Sequence, residues 1–159
     1  MKCPVIVTGP PGSGKTTVSN LLAFRLSYIV VNVGSELEEE LLRRGVRVQE
    51  RAAIGKRFLD IVGKEGYLSL VDNICDEARV IDGLRSADAL ERVRWKYPNL
   101  YHVHRLGKLS AENDPTTGAS KRLQDGPRLR DMADVRMEWL EDEHLLKREV
   151  SNMSIPFDP

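Results

Sequence analysis

"TGPPGSGKTTVS", residues 8–19, follows the apolar run "CPVIV" at 3–7 and leads into "NLLAFRLS" at 20–27. Gly9, Gly14, Lys15 and Thr16 satisfy the spacing G-x-x-x-x-G-K-[ST]. The surroundings agree with the motif. A short, nearly continuous apolar run marks a strand buried on both faces, as in parallel sheets, and Val18, Leu21, Leu22 and Leu26 then recur at helical spacing. Between that strand and helix, Gly9, Pro10, Pro11, Gly12, Ser13, Gly14, Lys15, Thr16 and Thr17 are expected to wrap the phosphates of a nucleotide. The glycines let the backbone curl with its N–H groups inward, and the helix N-terminus adds positive partial charge. Lys15 is expected at the β- and γ-phosphates of ATP, and the Thr16 hydroxyl on Mg2+.

The chain of 159 residues fits one domain, residues 1–159, with a core of its own. Lys plus Arg and Asp plus Glu number 24 each, so no global field draws the protein to nucleic acid or membrane. Any polyanion site must be local. Two cysteines, Cys3 and Cys75, are too few for a disulfide framework, and "MKCPVIV" runs into a motif instead of a cleavage site. A reduced, cytoplasmic setting is the expectation. No apolar run approaches the ~20 residues of a membrane span, so no membrane partner is expected.

Farther along, "YIVVNV" at 28–33 reads as a second strand, completing a βαβ unit. Helical patterns fill 35–76, with Gly45, Gly63 and Gly66 as punctuation. "ARVID" (78–82) and "NLYHVHRL" (99–106) are the third and fourth strand candidates. Between them "SADALERVRWKY" reads as a helix capped by Ser86 and stopped by Pro98. Residues 107–127 are rich in Gly, Pro, Ser, Thr and Asp and read as a loop. "RLRDMADVRMEWLEDEHLLKRE" (128–149) reads as one long charged helix, and "SNMSIPFDP" (151–159) as irregular.

Asp82 ends an apolar strand and precedes Gly83, which suits an acid beside a magnesium water shell and makes it the second metal-site residue after Thr16. An Asp-Gly turn is the bland alternative. Arg85, three residues on, is placed to face the transferred phosphoryl group or the acceptor.

"GPPGSGKTTVSNLLA", "VNVGSELEEELLRRGV" and "VIDGLRS" together resemble the P-loop nucleotide-kinase group, which includes adenylate-kinase-like, dephospho-coenzyme-A-kinase-like and compact phage-type kinases. The resemblance covers roughly residues 3–97. It implies an α/β, three-layer P-loop NTPase fold: a parallel five-stranded sheet in the order 2-3-1-4-5, flanked by helices. It also implies acceptor-binding helices at about 35–76 and an arginine-bearing lid at about 107–136. The group's "DG..R" segment corresponds to Asp82, Gly83 and Arg85, with spacing one residue shorter than in adenylate kinases. Lys121, Arg122, Arg128, Arg130 and Arg136 are the lid candidates, since a closing lid brings guanidinium groups to transition-state charge. Arg128 and Arg130 are carried forward as catalytic alongside Lys15, Asp82 and Arg85. The short chain after Asn152 suggests that the group's C-terminal helix is missing.

The acceptor is read from the segment after strand two. Adenylate-like kinases place an arginine early on that helix, whereas here Ser35 is followed by Glu36, Glu38, Glu39 and Glu40, with Arg43 and Arg44 a turn later. Carboxylates repel an anionic monophosphate and leave an alcohol acceptor less affected. An alcohol must lose its proton during attack, so a nearby carboxylate is useful, Asp82 first and Glu36 second. The expected acceptor is of nucleotide type, with 5-hydroxymethyl-deoxyuridine carried in phage DNA as the specific candidate. Arg92, Arg94, Lys96 and the 121–136 cluster would then supply local cations. Nucleoside monophosphates and dephospho-coenzyme A are the alternatives. A nucleotide-binding module or switch without phosphoryl transfer is the rival class, although no guanine-reading N-K-x-D segment occurs. His102 and His104 lack a third metal ligand at useful spacing and are expected to line or flank the cleft. Trp95 and Trp139 are expected in the core.

Overall fold

Runs too apolar to leave a wet face supply most of the sheet. β1 (Val5–Thr8), β2 (Ile29–Asn32), β3 (Arg79–Asp82), β4 (Tyr101–Arg105) and β5 (Val135–Met137) pair in parallel in the order β2-β3-β1-β4-β5. That is the order implied by the nucleotide-kinase resemblance. The structure is a computed structural model and describes residues 2–107 and 125–158.

Alternation along the strands sorts the helices into two layers. Val5 and Val7 face α1 (Lys15–Leu26) and α7 (Glu143–Ser151), packing on Val18, Leu22, Leu146 and Val150. Ile6 and Ile81 face the other way, toward α2 (Val33–Arg43), α3 (Ile54–Ile61), α4 (Lys64–Ile74), α5 (Ala87–Lys96) and α6 (Gly126–Met132). Each large apolar side chain buried this way contributes roughly 1.5–3 kcal/mol. Local signals set the helix starts: Asn32 Oδ1 accepts from the Ser35 N–H at 2.9 Å, and Ser86 Oγ from the Ala89 N–H at 3.2 Å. Among the described residues, no helix is long and apolar enough to cross a membrane.

Three expectations need correction. The long helix at 128–149 is absent; in its place stand α6, then β5, then α7. The segment "VRM" has no strong preference of its own. It becomes a strand because β4 offers an unpaired edge, in the register Val103↔Val135 and Arg105↔Met137, and because Met137 is fully buried there. A C-terminal helix does exist, ahead of Asn152: α7 packs against α1. Arg25 then secures the terminal segment through the Val150 carbonyl (2.6 Å), the Met153 carbonyl (2.7 Å) and Asp158 (2.9 Å). Trp95 lies outside the core at 89% exposure, on the solvent face of α5, whereas Trp139 is half-buried.

His102 and His104 bracket a single hydroxyl. Thr8 Oγ1, at the end of β1, lies 2.7 Å from His102 Nε2 and 2.8 Å from His104 Nδ1. A hydroxyl has one proton and two lone pairs, so at most one of the two ring nitrogens accepts from it and at least one donates to it. Burial pushes His102 down to about 3, helped by the like charge of His104 and by Arg94. Burial likewise pushes His104 down to about 4, with Arg130, Arg136 and Lys15 adding to the fall. Among the described residues, no cluster of His, Cys, Asp and Glu is arranged to hold a metal.

Two measurements test this core. Met137→Ala is expected to cost about 2–5 kcal/mol in denaturant unfolding, as for a methionine deleted from a packed interior. Arg136→Ala, next door and exposed, should cost far less; equal losses would argue against β5. Folding lowers the pKa of both histidines, so their stability contribution is complete above the unfolded value of about 6.5 and is lost as pH falls toward 4 and 3. Over that window the unfolded chain takes up about two protons that the folded chain refuses. A His102→Gln/His104→Gln variant should therefore lose stability less steeply between pH 6.5 and 4, and an unchanged slope would sink the assignment.

Candidate active site

Parallel strands all end on the same edge of the sheet, and there the loops gather. The loop from Gly9 to Gly14 leaves β1 and enters α1 through Gly14, whose φ of 84° lies in the left-handed region that favours glycine. No side chain caps α1 and its first turn holds no acid, so the N–H groups of that turn remain available to an anion. Gly9 is required for closeness as well: a Cβ there would lie 2.6 Å from the Arg105 carbonyl oxygen and 2.8 Å from Ser13 Oγ. The loop turns on the Ser13 N–H bond to the Pro10 carbonyl, 3.2 Å, and Lys15 Nζ reaches the same carbonyl at 3.5 Å. Pro11, Gly12, Thr16 and Thr17 are exposed, so this face of the loop is open.

Asp82 is the centre of the polar arrangement. It is buried, and its Oδ2 accepts from the Thr16 hydroxyl at 3.1 Å and from Asn32 Nδ2 at 3.4 Å. Its Oδ1 is buried with no hydrogen-bond partner, as is Ser13 Oγ. A buried acceptor without a donor is costly in a finished core and natural beside a site that takes a hydrated ion. Thr16 and Asp82 thus fit magnesium, which keeps several waters and takes few protein oxygens.

Lys15 lies within electrostatic reach of both neighbours. Burial lowers its pKa from the ordinary lysine value, the Arg85 guanidinium adds to the fall, and the Asp82 carboxylate opposes it. Lys15, Asp82 and Arg85 are therefore brought together. Arg136 lies opposite His104 in the sheet register, and Arg130, Arg136 and Lys15 all act electrostatically on that histidine at the end of β4. Arg136 donates to the carbonyls of Arg130 (2.9 Å) and Asp131 (3.3 Å). Arg128 is placed differently: it pairs with Asp88 and Glu91 at 3.4 Å and with Asp125 at 3.9 Å where α6 meets α5. Lys121 and Arg122, with most of the expected lid, lie outside the described residues.

In the acidic run of α2, Glu39 and Glu40 are neutralised within the helix. Arg43 pairs with Glu39 and Glu40 at 2.9 Å, and Arg44 with Glu40 at 3.3 Å, all along α2. Two arginines missed by sequence reasoning enter the site. Arg51, from a 3-10 turn at Arg51–Ala53, reaches Ser35 Oγ at 3.3 Å and Asn32 Oδ1 at 3.4 Å. Nothing in its local sequence marks it. Arg105, fully buried at the end of β4, donates through Nε to the Ser13 carbonyl at 3.0 Å. A charged residue closing a buried strand was the available signal.

A profile of the AAA domain family matches residues 8–96, more than half of the chain. A UPF0200 protein of Aeropyrum pernix is 32% identical over 99 residues, 58% of this chain and 53% of that protein. The replication factor C large subunit of Pyrobaculum islandicum is 36% identical over 70 residues, 44% of this chain and 16% of that subunit. The chain thus spans about half the length of the first relative and a small part of the second. Among solved structures, a shikimate kinase from Acinetobacter baumannii in complex with shikimate superposes with a TM-score of 0.60 at 15% identity, covering 95% of this chain and 90% of that one. A sugar kinase from Janibacter superposes with a TM-score of 0.55 at 15% identity, covering 98% and 96%. The fold is that of the P-loop kinases, and the chain belongs to the AAA domain family.

Proposed function

We propose that this protein is a P-loop kinase that transfers the γ-phosphate of Mg·ATP to a hydroxyl of a nucleotide-type acceptor. The observation that carries the reading is Asp82: a buried carboxylate that shares one oxygen between Thr16 and Asn32 and keeps the other free, between the phosphate loop and the acceptor side. The kinases among the structural neighbours support it, including one solved with a small hydroxyl-bearing ligand, shikimate.

Each residue then has a part. The amides of residues 9–14 and the first turn of α1 cradle the phosphates, and Lys15 neutralises charge at the β- and γ-positions. Thr16 and Asp82 would hold magnesium, which would supply further neutralisation at the phosphate oxygens. Asp82 is also the first candidate to accept the acceptor's hydroxyl proton, with Glu36, in the first turn of α2, second. Arg85 and Arg130 add guanidinium charge near Lys15; Arg128 could join only by leaving its carboxylates. Catalysis is then mainly positioning and charge stabilisation.

Arg51 refines the acceptor. With Glu39 and Glu40 held by Arg43 and Arg44, a guanidinium beside Ser35 and Asn32 suits an acceptor bearing an anionic group as well as a hydroxyl, which a nucleotide does. Residues 35–76 form its binding side, and the setting is cytoplasmic, in keeping with the free, buried Cys3 and Cys75. The finer candidate is 5-hydroxymethyl-deoxyuridine in phage DNA; nucleoside monophosphates and dephospho-coenzyme A are the free alternatives. A DNA-borne acceptor draws on Arg92 and Arg94, which are held by Asp72 (2.6 Å) and Asp134 (3.3 Å), whereas a free acceptor needs neither.

Radiolabelled ATP incubated with hydroxymethyluracil-containing DNA, nucleosides, nucleoside monophosphates and dephospho-coenzyme A, with product analysis afterwards, identifies the acceptor. Tight ATP binding with no acceptor-dependent turnover would leave a nucleotide-binding module and overturn the kinase. Lys15→Ala should fold and lose roughly a hundredfold or more in turnover, about 3–4 kcal/mol. Asp82→Asn should change both turnover and magnesium dependence; a wild-type magnesium titration and rate would reduce Asp82 to a turn residue. Arg51→Gln is expected to raise the acceptor KM about tenfold, with little change in the ATP KM, as for one lost charged hydrogen bond.

A further inference from the structure

Arg105 is the largest fully buried side chain among the described residues, and its hydrogen bonds all go to carbonyls. Nε donates to Ser13, Nη1 to Glu138 and Nη2 to Leu140, the last at 3.3 Å. Burial lowers its pKa, and the Glu149 carboxylate offsets this through space. A buried guanidinium is costly, and an apolar side chain of similar size packs more cheaply. A rigid fork of donors does there what an apolar side chain cannot: it holds carbonyl groups in fixed directions.

The Ser13 carbonyl and the Gly14 N–H belong to one planar trans peptide and point in opposite directions. Holding the carbonyl down against β4 turns the Gly14 N–H up, toward the open face of the phosphate loop. The two outer nitrogens fix the fork to the 138–140 segment, so it cannot swing with the loop. Gly9 lets the loop settle onto this support: a Cβ there would meet the Arg105 backbone oxygen at 2.6 Å and the Arg105 Cβ at 3.2 Å.

We infer that Arg105 is a positioning residue that aims the Gly14 amide at the bound phosphates, with the strand-end segment at 138–140 as its anchor. The inference rests on the reading of residues 9–17 as a phosphate site. Arg105 touches no reacting atom and acts only through the direction of one peptide.

The test uses the full chain with Arg105→Lys and Arg105→Gln, and with Mg·ATP and inorganic tripolyphosphate as probes. Calorimetry reads affinity, and 15N-resolved NMR reads the Gly14 amide. In wild type, tripolyphosphate should move the Gly14 amide proton downfield. In both variants, affinity for either probe should fall about tenfold or more, the value of one hydrogen bond to a charged group. The Gly14 shift should shrink while the thermal midpoint stays above the assay temperature. A folded variant that binds within twofold of wild type with the full Gly14 shift would overturn the inference and leave the phosphate site standing. A wild type that binds neither probe would overturn the phosphate site itself, and the inference with it. If neither variant folds, wild type decides: a Gly14 amide indifferent to bound tripolyphosphate defeats the proposal.

Discussion

The 3.1 Å hydrogen bond from the Thr16 hydroxyl to Asp82 joins the first helix to the third strand across the edge of the sheet. It requires β3 to lie directly beside β1, parallel, with Val7 opposite Asp82. That adjacency decides much else. Parallel pairing brings every strand's C-terminal end to one edge, so Asn32, Asp82 and Arg105, residues far apart in sequence, surround a loop that begins at Gly9. Each of them closes its strand. The helices on both faces bury the three central strands, β3, β1 and β4, while the outer strands β2 and β5 stay partly exposed.

Buried polar groups concentrate along that edge: Thr8, Ser13, Asp82, His102, His104 and Arg105 are all below a tenth exposed. Most are satisfied by one another or by backbone carbonyls. Asp82 Oδ1 and Ser13 Oγ are not, and both border the phosphate loop. Unpaired buried atoms also occur at Ser19, Tyr28 and His102, so an orphan atom alone does not define a site. What distinguishes Asp82 is the company of Thr16, Lys15 and Arg85.

A chain with balanced charge still builds a local positive field by placing its acids elsewhere. Asp88, Glu91 and Asp125 hold Arg128, Asp72 and Glu65 hold Arg92, and Asp134 holds Arg94. Lys15 feels both the Arg85 guanidinium and the opposing Asp82 carboxylate. Arg130 pairs with Asp131 at 3.8 Å, and both it and Arg136 act on the neutral His104. Neutral imidazoles matter here, because a charged His104 would add repulsion beneath the loop.

The phosphate loop, the first helix, Asp82 at a strand end and the Ser86 cap were legible in the amino-acid sequence, because each is specified by residues within one short segment. Glycines at fixed spacing, a closing acid after an apolar run and a serine before a helical pattern act locally, whatever the rest of the chain does. The fifth strand was not legible. "VRM" takes its conformation from the free edge of β4, and its residues suit a helical period equally well. Arg51 and Arg105 were hidden for the same reason: their roles are set by which carbonyls and side chains a crossover or a neighbouring strand brings within 3.5 Å. The pairing of Glu39 and Glu40 with Arg43 and Arg44 was visible as spacing, but only the folded structure brings Arg51 to Ser35 and Asn32 at the start of the same helix. Sequence determined that a glycine-rich G-x-x-x-x-G-K-[ST] loop opens α1; the tertiary structure decided what surrounds it, since long-range contacts depend on strand order and helix layer, which no single segment encodes.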